Sequence, residues 1–285
     1  ARGSYQTLKR NVQFGTGVLN EKFVSDGRLS KITSDGYIDR AASDLTSYYL
    51  SAAYLGTRSA LRFNTFSGHE ITYQAWNGVP PSLLDDRTTR TFNSAGLEQP
   101  GEPYDNEVDN YRQQHYQLHY NRQFSASFSG NLSLHYTKGE GYFEQYKAEQ
   151  NLADYGFPAL GDENFQPDLV RRLWLDNDFY GTVFSLNYLS AAYDLTLGGG
   201  YNVYEGRHFG EIVWSELAQG LSPEQPYYDN DARKTDFNLY ARLNYPLANR
   251  LSAYVDAQLR RIGYEFLGFD LNGNNVTQTD VLLFF

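Results

Sequence analysis

Tyr116-Gln117-Leu118-His119-Tyr120-Asn121-Arg122-Gln123-Phe124 is followed by Ser125-Ala126-Ser127, and then by Phe128-Ser129-Gly130-Asn131-Leu132-Ser133-Leu134-His135-Tyr136. In both runs alternate positions divide by chemistry. One set reads Tyr116, Leu118, Tyr120, Arg122, Phe124 and then Phe128, Gly130, Leu132, Leu134, Tyr136; the other reads Gln, His, Asn, Gln and then Ser, Asn, Ser, His. A repeat of two puts neighbouring side chains on opposite faces of an extended chain, so each run predicts a strand with one apolar and one polar face. The three small residues between them predict a tight reversal, and the pair predicts an antiparallel hairpin.

The pattern recurs outward from this hairpin. Apolar residues alternate over 180–188 (Tyr180, Phe184, Leu186, Tyr188), 191–203 (Tyr193, Leu195, Leu197, Tyr201, Val203), 237–245 and 251–259. Less regular strands are predicted at about 5–18, 22–35, 45–56 and 59–74, with one more near 278–285, which makes ten to eleven in all. Connections alternate in length. Short ones fall near 19–21, 55–58, 125–127, 189–190 and 246–249, and long ones at about 36–44, 75–110, 140–178, 206–233 and 267–278. Structureless loops longer than ~15 residues are uncommon in compact soluble domains, and here they all fall on one side of the hairpins. Spanning a membrane takes ~9–11 residues per strand, longer than the usual soluble strand. Long strands with short turns at one end and long loops at the other are the plan of an antiparallel transmembrane β-barrel. A soluble β-sandwich, which the exposed Trp and Tyr would equip for carbohydrate binding, explains the alternation but not the one-sided loops.

Composition agrees. Among 285 residues are 25 Tyr, 18 Phe and 3 Trp, and such amphipathic rings favour the boundary between lipid and water. A net charge of −10 lacks the basic character that nucleic-acid binding needs. With no cysteine there are no disulfides and no thiolate metal sites. With no methionine, even at position 1, the chain reads as one whose start has been removed. No apolar run approaches the ~18 residues of a transmembrane helix, so any membrane crossing must be by strands.

Chemistry-bearing constellations are sparse. His115 and His119 are four apart, a zinc-ligand spacing on a helix, but on a strand they stand about 13 Å apart. Asp85-Asp86 sits in an acid-rich loop and reads as solvated charge. Asp270-Leu271-Asn272-Gly273-Asn274 lacks the Glu that a calcium loop places at its twelfth position, where Val281 stands, and reads as a turn. Gly139-Glu140-Gly141 and Gly198-Gly199-Gly200 precede no helix that could cradle a phosphate. No Asp-x-His and no His-x-Ser-Asn-Gly pattern is present for a barrel protease or phospholipase. The reading is therefore no enzyme, no cofactor and no metal ligand set. The long loops carry Tyr73, Trp76, Tyr142, Phe143, Tyr146, Phe165, Trp174, Trp214, Tyr227 and Tyr228, rings that suit capture of a flat ligand at a pore mouth.

Three segments resemble TonB-dependent receptors of the iron-complex uptake type. They are Lys31-Ile32-Thr33-Ser34-Asp35-Gly36-Tyr37-Ile38-Asp39-Arg40, Phe66 through Pro80 (containing His69, Tyr73, Trp76 and Asn77-Gly78-Val79-Pro80), and His135 through Lys147 (containing Gly139-Glu140-Gly141-Tyr142-Phe143-Glu144). The resemblance spans nearly the whole chain. It implies a 22-stranded barrel in the outer membrane of a Gram-negative bacterium, a plug fed with energy by TonB, and a metal chelate as cargo: a ferric siderophore first, haem or cobalamin otherwise. On that reading residues 1–285 are one partial barrel domain lacking the plug and half the strands, and its partners are outer-membrane lipid, TonB through the missing plug, and the chelate. The ends of the long strands then nominate His69, Tyr73, Trp76, Tyr142, Glu144 and Tyr146 for ligand contact. Phe285 resembles a terminal barrel aromatic, but Val281-Leu282-Leu283-Phe284-Phe285 does not alternate, so a cut within a strand is preferred. A passive porin remains the alternative barrel.

Overall fold

A computed structural model describes residues 1–156, 165–217, 226–248, 250–268 and 274–284. Eleven strands form one antiparallel sheet in strict sequence order: β1 (Leu8–Gly15), β2 (Phe23–Ser34), β3 (Ser43–Leu55), β4 (Ser59–Tyr73), β5 (Val108–Gln123), β6 (Phe128–Lys147), β7 (Leu169–Leu189), β8 (Asp194–Ser215), β9 (Pro226–Ala248), β10 (Leu251–Leu267) and β11 (Gln278–Phe284). Two single 3-10 turns, Pro81–Leu83 and Leu152–Tyr155, lie in the long loops. Asp270, Leu271, Asn272, Gly273 and Phe285, read above as a turn and a strand end, lie outside the described residues.

The register aligns the alternation from strand to strand. One transverse row runs Phe23–Tyr54–Leu61–Tyr120–Leu132–Phe184–Gly199–Leu239–Leu259 across β2 to β10. The adjoining row on the other face runs Asp26–Ser51–Asn64–Gln117–His135–Gly181–Asn202–Asp236. A shift of one residue in any strand would exchange these faces, so the pattern locks the register. In the first row Tyr54, Leu61, Leu132, Phe184 and Leu239 are 39–45% exposed. Among the described residues no second layer covers them, which removes the β-sandwich. An apolar belt this wide, left bare, is a surface for lipid, and the fold is that of a transmembrane β-barrel wall.

Directly above the belt, Tyr136 donates to Asp178 at 2.6 Å and Lys138 lies between Asp176 and Asp178, the latter at 3.0 Å. Arg207 pairs with Asp229 at 2.6 Å on the same face. Aromatic rings followed at once by charge mark the boundary between lipid and water.

The strands outrun the reading of the sequence. Stretches 140–147, 169–178, 206–215 and 226–233 were expected in loops but continue β6, β7, β8 and β9, which reach 20, 21, 22 and 23 residues. Once clear of lipid, neither face must be apolar, so the period-2 signal fades while the backbone ladder continues. The connection at 36–44 is also shorter than expected, since β3 begins at Ser43. Well-buried apolar side chains gather at this extended end: Tyr73, Ala95, Val108, Tyr146, Leu152, Tyr155, Leu169, Val170 and Ile212. The core of the described structure is a rim, packed between strand ends and the loops folded onto them.

Candidate functional site

The rim is organised around Glu144 on β6, whose side chain is only 2% exposed. One carboxylate oxygen accepts from the Tyr104 hydroxyl and the Asn106 amide; the other accepts from Arg172 Nε at 2.7 Å. The backbone carbonyl of Glu144 takes Gln74 Nε2 at 3.0 Å, and the same amide reaches the Val108 carbonyl at 3.2 Å. A buried carboxylate is tolerable only when paired and fully bonded; here its donors come from the C-terminal end of the 74–107 loop and from β7, while Gln74 at the other end of the loop holds the Glu144 backbone carbonyl. Burial, reinforced by Glu144, pushes the Tyr104 hydroxyl well above its ordinary range. That phenol therefore stays a proton donor to the carboxylate.

A second knot ties the loops to each other. Arg40 Nη2 donates to the carbonyls of Asn93 (2.6 Å) and Ala95 (2.8 Å), and Nε reaches the Tyr73 hydroxyl at 3.3 Å. Tyr73 donates in turn to the Tyr104 carbonyl at 2.6 Å, and the Asn93 amide donates to Asp39 and Gln74 carbonyls. Gly96 has φ +81°, and a Cβ there would collide with the Tyr73 hydroxyl and the Tyr104 backbone, so only glycine fits. Lys147 Nζ binds Glu98 at 2.6 Å, closing the loop over the end of β6. Glu107, also buried, has its carboxyl pushed up by loss of water.

The six nominated residues meet at this rim in different states. Tyr73, Glu144 and Tyr146 are buried; Tyr73 and Glu144 bond as above, and the Tyr146 hydroxyl donates to Asp168. His69 is exposed and its Nε2 lies 2.8 Å from Asn110 Oδ1; Asn110 also donates to the Tyr142 hydroxyl at 3.4 Å. Tyr142 lies between Arg172 (4.3 Å to the ring centre) and Trp174 (4.6 Å between centres), and Trp174 stacks on Phe209 at 5.7 Å. Trp76 sets an edge on Phe143 at 5.3 Å yet remains 58% exposed. Five of the six therefore hold or line the rim, and Trp76 presents its ring to solvent. Of the other loop aromatics, Phe165 and Trp214 are also exposed. Arg40, Asn93, Tyr104 and Arg172 were not singled out from sequence. Only the adjacent Arg171-Arg172, basic residues in an acidic chain, offered a signal.

Below the rim, the polar face holds a trough of about 550 Å³ that includes His115, His135, Phe179 and Tyr204. His115 Nδ1 pairs with Thr137 Oγ1 at 2.9 Å and His119 Nδ1 with Ser133 Oγ at 2.8 Å, so each imidazole has its own hydroxyl. Among the described residues no cluster of three His, Asp or Glu could hold a metal ion. Asp86 caps its own turn, accepting from Thr88 N and Oγ1 at 2.8 Å each, and these bonds hold its carboxyl below the usual range.

No family model and no curated protein matches the chain. Solved structures do. The open form of the ferric-catecholate import receptor Fiu of E. coli superposes with a TM-score of 0.68 at 12% identity, covering 99% of this chain and 49% of that one. The siderophore receptor PiuA of Acinetobacter baumannii gives 0.66 at 9% identity, with 99% and 44% covered. The ferripyoverdine receptor of the Pseudomonas aeruginosa outer membrane gives 0.62 at 9%, with 99% and 38% covered. The chain spans half or less of the length of these chains, and at such identities the likeness is one of fold.

Proposed function

We propose that this chain is part of the barrel wall of an outer-membrane receptor of a Gram-negative bacterium, one that captures a metal chelate, a ferric siderophore before haem or cobalamin, and imports it with energy delivered by TonB. On this reading residues 1–285 belong to a larger, 22-stranded barrel whose plug lies outside the chain, and the short turns face the periplasm. The observation that carries the reading is strand height. Crossing lipid needs ~9–11 residues, whereas β9 has 23. The surplus of about 12 residues rises roughly 25–30 Å beyond the belt at ordinary strand tilt. A passive pore has no need of so tall a wall, but a vestibule that must enclose a ligand before transport does. The packing of loops 35–42 and 74–107, and of segment 148–156, onto that wall supports the same reading, as does the likeness to ferric siderophore receptors.

In this vestibule Trp76, with Phe143 beneath it, meets the chelate, while His69, Tyr73, Tyr142, Glu144 and Tyr146 shape the rim that presents it. The test is made on the complete gene. Heat-modifiable migration in the outer-membrane fraction, with growth on a ferric chelate lost on deletion and chelate affinity lowered by Trp76→Ala, is the expected result. A protein in that fraction whose deletion leaves chelate-dependent growth intact would refute the uptake role.

A further inference from the structure

The lipid-facing side of the wall divides by charge above the belt. Eight residues along each strand from the apolar row of β2 to β9, a parallel row begins Arg10–Lys31–Thr46–His69–Arg112 across β1 to β5 and continues Glu140–Asp176–Arg207–Asp231 across β6 to β9. An even offset keeps these side chains on the lipid-facing side. On β1, β2, β4 and β5 the first acidic or basic residue above the belt is therefore basic, whereas the β6–β9 half holds three acids to one arginine. Asp44 is the one carboxylate on this face of β1 to β5, and it holds Lys31 at 2.9 Å. Arg10 and Arg112 are exposed and have no hydrogen-bond or ion-pair partner among the described residues. β5 has a described strand on each side, so the wall around Arg112 is complete. Arg10 stands directly opposite Lys31, and like charges so placed repel.

Apolar hollows lie beneath the basic half. A groove of about 570 Å³ includes Val12, Leu29 and Tyr48 below Lys31 and Arg112. Further down, the small side chains of Ser25 and Ala52 leave a hollow of about 370 Å³ among Phe23, Tyr54, Leu61 and Phe63. From Lys31 to Ser25 along β2 is roughly 20 Å of strand, or ~15 Å of depth at ordinary tilt. That is the thickness of one hydrocarbon leaflet. We infer that the lipid-facing side of β1–β5 docks a lipid of the outer leaflet whose head group carries two phosphates, the class to which lipid A belongs. Arg10 and Lys31 grip one phosphate, and Arg112, three strands and ~14 Å from Lys31, takes the other. An acyl chain then runs down past Leu29 to the hollow at Ser25 and Ala52. In a chain of net charge −10 the acidic half of the row repels the same head group, which confines it to β1–β5. The inference rests on outer-membrane placement with the long loops outward, and not on the nature of any cargo.

The test uses the complete protein, purified from the outer-membrane fraction in mild detergent. EDTA is present, so that no divalent cation bridges phosphate to the acidic half. Native mass spectrometry follows binding of bis-phosphorylated lipid A, its monophosphorylated form and zwitterionic phosphatidylethanolamine. The bis-phosphorylated lipid should bind most tightly. Lys31→Gln combined with Arg112→Gln should weaken it by about 10- to 100-fold, while Arg207→Gln, in the same row on β8, leaves it unchanged. Should the double variant fail to fold, Ala52→Leu, which fills the hollow and touches no charge, should still weaken it several-fold. Lipid A binding that ignores both changes would overturn the docking site and leave the barrel standing. Equal binding of the three lipids, or ready displacement of lipid A by inorganic phosphate, would also overturn it, the first by showing no selection for phosphate and the second by showing a plain anion site. Absence of the protein from the outer-membrane fraction would overturn both the placement and the docking site.

Discussion

Glu144→Gln keeps the shape of the rim's central side chain and removes its charge. Arg172 then lacks its counter-ion, and the new amide turns an NH2 toward a position where Tyr104, Asn106 or Arg172 already donates. Removing one partner of a fully buried ion pair costs about 3–5 kcal/mol. Arg172 keeps 31% of its side chain exposed, so water recovers part of that, and about 2 kcal/mol is the expected loss. The loss falls on the 74–107 loop and not on the barrel, because Glu144 stands above the lipid belt. Opening of the loop should become roughly 30-fold more frequent. Hydrogen exchange on the complete protein in bilayers reads this directly: amides of 93–108 should exchange about 30-fold faster, with β5–β8 belt amides unchanged. Pairing the substitution with Arg172→Gln should recover part of the loss, since the orphaned cation is then gone. Unchanged exchange across 93–108 in Glu144→Gln would refute the claim that this carboxylate holds the loop.

Leu132→Arg, in mid-belt, should cost about 2–4 kcal/mol and reduce the heat-modifiable form, whereas Gln117→Arg on the polar face should fold within ~0.5 kcal/mol of the parent. Gly96→Ala forces a side chain into a left-handed, occupied position; loosening the rim by about 1–3 kcal/mol, it should expose 90–100 to limited proteolysis. Glu107 is raised in the folded rim, so the folded state binds the proton more tightly than the unfolded one. Its burial penalty is full above the folded pKa and disappears as pH falls toward 4.5. Loop protection should therefore increase from pH 7 toward pH 5, and Glu107→Gln should abolish that gain; protection that falls equally in both proteins would contradict the assignment.

The hairpin at 116–136 made the strands, their faces, the antiparallel order and the lipid belt legible from sequence. Each of these follows from a repeat of two residues, and water and lipid sort side chains locally, residue by residue. The tops of β6 to β9 were not legible, because above the lipid no solvent contrast imposes alternation. The nominated aromatics fell at the extended end of the wall, yet composition could not distinguish Trp76, left open to solvent, from Tyr73 and Tyr146, buried in the packing. That distinction depends on partners far apart along the chain: Arg40 with Asn93, Gln74 with Glu144, Glu144 with Arg172. Local pattern sufficed for the wall because each strand reports its own solvent. The rim was decided only by tertiary structure, since a buried charge and its donors are brought together by the register of the sheet and the folding back of the loops.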